Sequence, residues 1–333
     1  MRIGIAIHRA ASLDASWTTV HLAQAALERG HLLRFIERQG FELDPSGRLV
    51  ARALIFDQAP ASPEDLAAAL ARGNAPRRSI DVERLDLLML RQAPLDPAVL
   101  TFATLARDRG VRVVNDPEGA SRVSSKAWLA AQPGVPTPPT LVTRSLGTAG
   151  IFHGQERHGV VIKPVRGSGG RAVSFVRHRD SRALVRAFEA AREVGDGYVV
   201  LQSYLPQAED GEKRLLWLDG EIVGGYLRRR APGDFRHNLK RGGTAALAQI
   251  TDQERSLVNR LSPLLLATGV RFAGLDVIGA SITEINALNP GGTVHADRLS
   301  GSRLADLVIA RLEDQAPASP LFAEIDSWAH HVP

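Results

Sequence analysis

Short apolar segments alternate with helical patterns through the first third of the chain, and this alternation restricts the fold more than any other feature. Arg2–Ile7 is an apolar run, and Trp17–Glu28 carries apolar residues at helical spacing before Gly30 ends the helix. The alternation continues with predicted strands at Leu32–Ile36, Leu54–Phe56, Leu85–Leu90 and Val111–Val114, and with helices at Pro63–Ala71 and Leu100–Arg107. Strands separated by helices predict a parallel, doubly wound sheet. No Gly-x-Gly-x-x-Gly fingerprint follows the first strand, so a dinucleotide site is not indicated there.

The pattern changes after a short predicted helix at Ser124–Ala131 and a rigid connector, PGVPTPPTL, at residues 133–141. Strand-like runs now follow one another closely, and Asp219-Gly220 between two of them is a favourable hairpin turn. The strands are predicted at Val160–Pro164, Val173–Val176, Tyr198–Gln202, Leu215–Leu218, Glu221–Tyr226 and Leu275–Ile278, and the helices at Ser181–Ala191 and Asp252–Ala267. The fold class is therefore α/β followed by α+β, with a parallel N-terminal domain and an antiparallel region behind it.

Composition excludes several classes of protein. None of the 333 residues is cysteine, so disulfides, thiolate metal sites and cysteine nucleophiles are excluded. No apolar run is long enough to span a bilayer and no signal peptide is visible, so we expect a cytoplasmic protein without a membrane partner. The ten histidines show no metal-ligand spacing.

The net charge of +5 is unevenly distributed. Tyr226–Gly243 holds six Lys or Arg against one Asp. Such a basic segment binds nucleic acid, binds an anionic small molecule, or is only a solvated loop. Aromatic residues make up only 5% of the chain, which disfavours a stacking platform for single-stranded nucleic acid, so small anionic substrates are expected and nucleic acid is not.

The segment VVIKPVRGSGGRAVSF, Val160–Phe175, has a lysine on a strand directly before a glycine-rich turn. It is not a Walker A loop, in which the lysine follows the glycines and precedes a helix. Backbone N–H groups of such a turn, together with Lys163, can lie over a triphosphate; the alternative is a plain hairpin with a flexible tip.

A second unusual segment is ITEINALNPGGT, Ile282–Thr293. Glu284 and Asn286 are two residues apart, so on a strand they point to the same face, and a glycine turn follows. Asp276 lies in the preceding apolar run, FAGLDVIG. Each of these residues also has an ordinary alternative, a turn or cap for Asp276 and a solvated strand face for Glu284 and Asn286.

The order and spacing of these segments resemble the ATP-grasp carboxylate–amine ligases, and within them most closely the bacterial glutathione synthetases. The resemblance covers about residues 1 to 312. The pieces that carry it are NDPEG, VIKPVRGSGG, LQSYLP with DGEKR, the R-x-N-L-x-x-GG segment, and GLDVIG with TEIN. It implies an N-terminal domain at residues 1–118, ATP-grasp lobes at 119–195 and 196–315, and a tail at 316–333.

The resemblance also implies site residues. Those implied for ATP are Lys126, Lys163, Gly167, Ser168, Gly169, Gly170, Gln202, Tyr204, Leu205 and Glu212. Asp276, Glu284 and Asn286 are implied as ligands of magnesium, with two ions expected and Mn²⁺ as a substitute. Arg214 and Arg229 are implied to neutralise the acyl phosphate and its successor. Those implied for the substrates are Arg91, Arg229, Arg236, Asn238, Gly291 and Gly292. Taken alone, Lys126 and Arg91 could equally be surface residues.

The reaction that the resemblance implies is amide formation through an acyl phosphate, with γ-glutamylcysteine as donor and glycine as acceptor, in a homo-oligomer. Three features depart from the family: RQAPLD after the Arg91 strand, a lid that looks about one residue shorter, and LNPGG after the TEIN strand. They keep open a peptide or amino-acid ligase with another substrate pair. A third hypothesis is a non-catalytic nucleotide- or nucleic-acid-binding protein, against which the three predicted metal ligands argue.

Overall fold

The computed structural model describes residues 1–73, 75–167 and 169–314. Ser168, predicted to bind phosphate, and the predicted tail at 316–333 lie outside the described residues. The chain forms two compact units: the first contains residues 1–118 and 305–314, and the second contains residues 119–304. The sequence prediction had included residues 305–314 in the second ATP-grasp lobe. The predicted border between the lobes, near residue 195, stays a prediction.

The first unit is built around a six-stranded sheet with the order β4-β3-β2-β1-β5-β6. Its elements are β1 (Arg2–Ile7), α1 (Thr18–Glu28), β2 (Leu32–Leu43), β3 (Leu49–Phe56), α2 (Pro63–Arg72), β4 (Arg77–Asp81), β5 (Leu87–Leu90), α3 (Pro97–Asp108) and β6 (Arg112–Val114). β2, β1, β5 and β6 are parallel, as predicted, whereas β3 and β4 are added in antiparallel orientation. The sequence did not indicate this. Polar residues follow Ile36, so β2 was predicted to end there, whereas it continues past an irregularity in its pairing and forms a hairpin with β3.

The second unit begins with a four-stranded antiparallel sheet of order β7-β10-β8-β9. Apolar residues of its strands pack against two helices, and Leu184 and Phe188 of the second helix are buried in this core. The elements are α4 (Pro117–Val123), α5 (Lys126–Ala130), β7 (Thr140–Thr143), α6 (Leu146–Gln155), β8 (Val160–Pro164), β9 (Ser174–Val176), α7 (Ser181–Val194) and β10 (Val199–Ser203).

A five-stranded antiparallel sheet of order β13-β12-β11-β14-β15 completes the second unit. Its elements are β11 (Glu212–Leu218), β12 (Glu221–Arg229), β13 (Thr244–Leu247), α8 (Asp252–Ala267), β14 (Phe272–Ile278), β15 (Ser281–Asn286) and α9 (Thr293–Ser300). The last helix, α10 (Leu304–Asp314), belongs to the first unit from Ala305 on. The predicted hairpin at Asp219-Gly220 is confirmed, because both residues have positive φ between β11 and β12. Trp217 is fully buried, and its indole N–H donates to Ser262 Oγ at 2.8 Å.

β15 is the edge strand of this sheet, and the connector that precedes β7 covers it. The Ile282 N–H donates to the Pro136 carbonyl at 2.9 Å. The pairing of β14 with β15 skips Thr283, which therefore forms a bulge. Covered edges of this kind occupy backbone groups that would otherwise be available to another chain.

Helix α8 begins with a capping box, and this gives a prediction about stability. Thr251 Oγ1 accepts from the Glu254 N–H at 3.3 Å, and a Glu254 carboxylate oxygen accepts from the Thr251 N–H at 2.9 Å. We expect Thr251→Ala to lower the free energy of unfolding by about 1 kcal/mol, measured by urea denaturation. Thr251→Ser keeps the hydroxyl and is the matched control. Equal stability of the Ala and Ser variants would contradict the assignment.

Among the helices of the described residues, none is both long and apolar enough to cross a membrane.

Candidate active site

One cavity in the second unit gathers most of the predicted site residues. Its walls come from the glycine-rich turn, the end of β10 and the inner faces of β11, β12, β14 and β15. The predicted residues that line it are Lys126, Lys163, Gly167, Gly169, Gly170, Gln202, Tyr204, Leu205, Glu212, Arg214, Arg236, Asn238, Asp276, Glu284 and Asn286.

The predicted metal ligands share one face of two neighbouring strands. Asp276 of β14 is directly opposite Glu284 of β15, and Asn286 follows Glu284 by two residues. Asn286 Nδ2 donates to Asp276 Oδ2 at 3.3 Å. Cross-strand partners in antiparallel pairs point to the same side, which is why these three side chains converge.

Asp276 is 5% exposed and is held by two guanidinium groups. Arg214 Nε and Arg228 Nη2 each lie 2.6 Å from Asp276 Oδ1. Burial alone would raise the pKa of Asp276, but the neighbouring Arg214 and Arg228 charges outweigh it and hold the pKa below its usual range. The carboxylate is therefore ionised at neutral pH.

Two lysines lie at the base of the glycine-rich turn. Lys163 is 6% exposed, and its ammonium donates to Gln202 Oε1 at 2.8 Å. Burial lowers the pKa of Lys163 to about 8, while the charge of Glu284 partly opposes this. Lys126 Nζ lies 3.7 Å from Glu284 Oε1 and 3.5 Å from the Gly167 carbonyl. The structure thus places two cations beside the turn, where phosphate groups would be neutralised.

Glu212 is a further carboxylate that lines the cavity. Burial raises the pKa of Glu212 to about 7, and the charge of Arg228 opposes this rise. Arg228 Nη2 donates to Glu212 Oε2 at 2.7 Å. Glu212 is therefore a carboxylate whose charge state near neutral pH depends on its neighbours.

The structure places Arg228, and not the predicted Arg229, in the cavity. Arg228 is 8% exposed and is directly opposite Glu212 on β11, whereas Arg229 is exposed beside Glu209 and Asp210. Neighbouring side chains on a strand point to opposite faces, so only one of the two arginines can reach Asp276. Counting in steps of two from the apolar Tyr226 separates Arg228 and Arg230 from Arg229, and the pairing of β12 with β11 then selects Arg228.

Arg91 lies in the first unit, directly after β5, and is buried rather than at the surface. Its Nε donates to Thr19 Oγ1 at 3.1 Å, near the start of α1. Burial lowers the pKa of Arg91 to about 9, so the guanidinium remains charged at neutral pH.

Gly291 and Gly292 do not line the cavity but support one of its arginines. The Gly291 carbonyl accepts from Arg214 Nη1 at 3.1 Å. Gly292 has φ of 117°, and a Cβ there would lie 2.9 Å from the Tyr226 ring. The glycines therefore allow the turn to approach Tyr226 closely, a role that sequence alone did not indicate.

The cavity lining also includes polar and aromatic residues that were not predicted to have a role, among them Arg228, Phe235, His237 and Thr283. Phe235 and His237 flank the predicted Arg236 in the basic segment. Thr283 forms the bulge in β15, and its carbonyl accepts from Lys163 at 3.5 Å. A bulge depends on strand register, which has no reliable local sequence signal.

The described residues contain no group of three His, Asp or Glu side chains that could hold a metal ion without help. The candidate set is instead two carboxylates and one carboxamide, Asp276, Glu284 and Asn286, facing the two lysines. Magnesium is commonly held by one or two carboxylates together with the phosphates of a bound nucleotide. This ligand set therefore fits a divalent cation that arrives with a nucleotide.

Comparison with known proteins decides the family. Residues 1–120 match the N-terminal domain of prokaryotic glutathione synthetase, and residues 129–301 match its ATP-grasp domain. The chain belongs to the prokaryotic glutathione synthetase family. A glutathione synthetase of Synechococcus elongatus is 32% identical over 94% of this chain and 98% of its own length. That of Thermosynechococcus vestitus is 36% identical over 67% of this chain and 70% of its own length.

Solved structures of low sequence identity share the family's fold. The D-cycloserine synthetase DcsG has a TM-score of 0.65 at 18% identity and covers 94% of this chain. The macrocyclase MdnC of Microcystis aeruginosa has a TM-score of 0.63 at 14% identity and covers 95%. The predicted ATP-grasp fold is therefore confirmed, and membership of the family makes the chain an ATP-dependent ligase that uses a divalent metal.

Proposed function

We propose that this chain joins γ-glutamylcysteine to glycine, with ATP converted to ADP and phosphate. A donor carboxylate oxygen attacks the γ-phosphorus, and the bond to the bridging oxygen of ADP breaks. The acceptor amine then attacks the acyl carbon, phosphate leaves with the bonding electrons, and the amine loses a proton. The observation that carries the proposal is the convergence of Lys163, Arg214 and the Asp276–Glu284 pair in one cavity.

The nucleotide roles follow from the chemistry of the cavity walls. Lys126 and Lys163, with the glycine turn, are proposed to bind the phosphates, because ammonium groups and backbone N–H groups neutralise and orient them. The backbone from Gln202 to Leu205 is proposed to hold adenine, and Glu212 the ribose hydroxyls. Phosphoryl transfer needs positioning and charge neutralisation more than a protein nucleophile. The cationic and hydrogen-bonding groups of the cavity match this requirement.

Asp276, Glu284 and Asn286 are proposed to hold two Mg²⁺ ions, with Mn²⁺ as a substitute. When bound, the ions supply charge neutralisation to the phosphate oxygens. The chain's own contribution is to keep Asp276 ionised through Arg214 and Arg228 and to hold its side chain in one orientation. Membership of the family supports the use of a divalent metal, whereas the identity and the number of the ions are part of this proposal.

Arg214 and Arg228 are proposed as the pair that stabilises the acyl phosphate, in place of Arg214 and Arg229. Both guanidinium groups line the cavity, and each contacts Asp276. Negative charge that develops beside fixed guanidinium groups in a buried site is strongly stabilised.

Fewer contacts support the residues that are proposed to bind the substrates. Arg91 is proposed to bind a carboxylate of the donor. Arg236 and Asn238 are proposed to lie on a lid segment (residues 230–243) that excludes water and so protects the acyl phosphate from hydrolysis. Gly291 and Gly292 are proposed to shape the acceptor end through Arg214 and Tyr226.

The test is the product formed by the purified chain from ATP, γ-glutamylcysteine and glycine. We expect equal amounts of glutathione, ADP and phosphate. The glycine turn LNPGG favours a second candidate, a ligase of the same mechanism with another acceptor, so other amino acids and dipeptides are tested in parallel. Turnover with those pairs alone would replace the substrate assignment. Lack of ATP binding would favour the non-catalytic hypothesis. We also propose that the chain forms a homo-oligomer and is located in the cytoplasm.

The depressed pKa of Lys163 predicts how nucleotide affinity depends on pH. At about pH 9 most of the free protein has a neutral Lys163, because its pKa is about 8. Phosphate binding favours the charged ammonium, so ATP binding takes up about one proton there, and affinity falls as the pH rises above the pKa. Calorimetry in buffers of different ionisation enthalpy measures this uptake. Lys163→Arg stays charged and is expected to show none; equal uptake in both proteins would contradict the prediction.

A further inference from the structure

Two side chains of the lid segment form hydrogen bonds with one short part of the cavity wall, the hinge segment (residues 202–209), which begins at the end of β10. The His237 Nε2–H donates to the Ala208 carbonyl at 2.8 Å. Arg230 Nη1 donates to Glu209 Oε1 at 3.0 Å. Phe235 reaches the same segment through an aromatic cluster. The lid segment is therefore joined to the hinge segment by two hydrogen bonds and, through Phe175, by an aromatic contact.

His237 is the most buried of these lid residues, with 6% of its surface exposed. Burial lowers the pKa of His237, so the ring is neutral at neutral pH and donates from Nε2 to the carbonyl. Its other ring nitrogen lies 3.9 Å from Glu212 Oε2. One lid side chain thus lies between the hinge backbone and the carboxylate proposed for the ribose.

The aromatic cluster joins three different segments. Phe175 of β9 lies 4.6 Å from the Tyr204 ring and 6.1 Å from the Phe235 ring, measured between centroids, with tilted planes. The Tyr204 hydroxyl donates to Glu209 Oε1 at 2.6 Å, and the same carboxylate accepts from Arg230. The hydrogen bond between Tyr204 and Glu209 therefore connects the aromatic cluster with the residue that binds Arg230.

The lid contact with the glycine-rich turn is weaker. Arg236 Nη1 lies 3.4 Å from the Gly170 carbonyl, at the long limit of a hydrogen bond. The same guanidinium donates to Asp234 Oδ2 at 2.9 Å, within the lid segment itself. Its strongest interaction is therefore with its own segment, whereas His237 and Arg230 bind the hinge.

We propose that His237, with Phe235 and Arg230, is a positioning group that couples lid closure to occupancy of the base end of the nucleotide site. A base bound to the hinge backbone fixes the Ala208 carbonyl and the Tyr204 ring; the closed lid docks directly on the carbonyl and, through Phe175, on the ring. A ligand shifts an equilibrium only by its differential affinity for the two states. A polyphosphate without a base lacks these contacts with the hinge segment, so we expect it to favour the closed lid much less than ADP does. The proposal rests on the proposed function for the position of adenine.

The first test compares ADP with inorganic tripolyphosphate, each with magnesium, as protection against trypsin cleavage at the Arg and Lys residues of the lid segment. We expect saturating ADP to slow cleavage about tenfold, the size of one buried hydrogen bond, and tripolyphosphate to change it less than about twofold. Equal protection by tripolyphosphate overturns the proposal.

The second test uses a matched pair of variants. His237→Ala removes the donor to the Ala208 carbonyl, and ADP is expected to protect the variant lid about tenfold less than the wild-type lid. His237→Gln keeps an N–H donor and is expected to restore most of the protection. Phe235→Ala is the independent check, with Phe235→Leu as its apolar control. Full ADP protection in both His237→Ala and Phe235→Ala overturns the proposal.

The third measurement is the amount of ADP formed per amide. A lid that closes poorly admits water to the acyl phosphate, so His237→Ala is expected to form several ADP per product, and His237→Gln about one. A ratio of one in His237→Ala counts against the proposal. If the wild-type chain forms no glutathione while ADP still protects the lid through His237, only the substrate assignment fails. If glutathione forms and protection needs neither base nor His237, only the lid proposal fails.

Discussion

Replacement of Glu284 by Gln is expected to lower ATP-dependent turnover by about 10³-fold. Glu284 is opposite Asp276 across two strands, so its carboxylate completes the pair of acidic oxygens that faces the lysines. The amide keeps the shape of the side chain and removes its charge. A divalent cation then loses one of two carboxylates, and Lys126 loses its anionic neighbour. Initial rates at increasing magnesium concentration measure the loss.

The fold of this variant is expected to be intact. Only one ion pair is broken, a partly exposed contact of 3.7 Å with Lys126 that contributes little to stability. Thermal unfolding without nucleotide is therefore expected to be unchanged. Glu189→Gln, which removes a carboxylate from an ion pair on α7, is the matched control and should retain full turnover. Near-normal activity of pure Glu284→Gln would remove this residue from the metal site.

Arg228→Ala is expected to lower turnover by about 10²- to 10³-fold, whereas Arg229→Ala changes it less than about twofold. The two residues are adjacent and chemically identical, so the pair separates the effect of position from the effect of charge. Arg228 contacts both Asp276 and Glu212 inside the cavity. Arg229 is exposed on the other face of β12. Steady-state kinetics of the two variants measure the difference, and the reverse order would restore the assignment made from sequence.

Loss of Arg228 leaves two carboxylates with less compensation, so folding must be checked. Asp276 keeps Arg214, and Glu212 can take up a proton because its pKa is already raised to about 7. These responses limit the destabilisation that follows when one partner of a buried ion pair is removed. Thermal unfolding of Arg228→Ala, together with ATP binding at saturating nucleotide, separates a catalytic loss from an unfolded protein.

Local signals in the sequence predicted the elements that depend on local chemistry. Helix α8 has the predicted bounds, Asp252–Ala267, because Thr251 and Glu254 form a capping box at its start. The hairpin at Asp219-Gly220 was predicted for the same kind of reason, since two residues with positive φ are needed there.

These local signals do not determine strand register, that is, which residues of two paired strands lie opposite each other. Three consecutive arginines, Arg228 to Arg230, have the same local chemistry, and only the pairing of β12 with β11 shows which one faces Glu212. A strand at Leu54–Phe56 was predicted, but the antiparallel direction of β3 and the presence of β4 were missed for a related reason, because strand direction depends on pairing.

The covered edge of β15 affects how a truncated form of the protein is expected to behave. The backbone N–H of Ile282 is bound by Pro136, which belongs to the connector and not to the sheet itself. A shortened protein that starts after residue 139 would keep all five strands of the sheet but expose this edge. Unprotected edges pair with other chains. We therefore expect such a fragment to aggregate through β15, although the three predicted metal ligands would all be present.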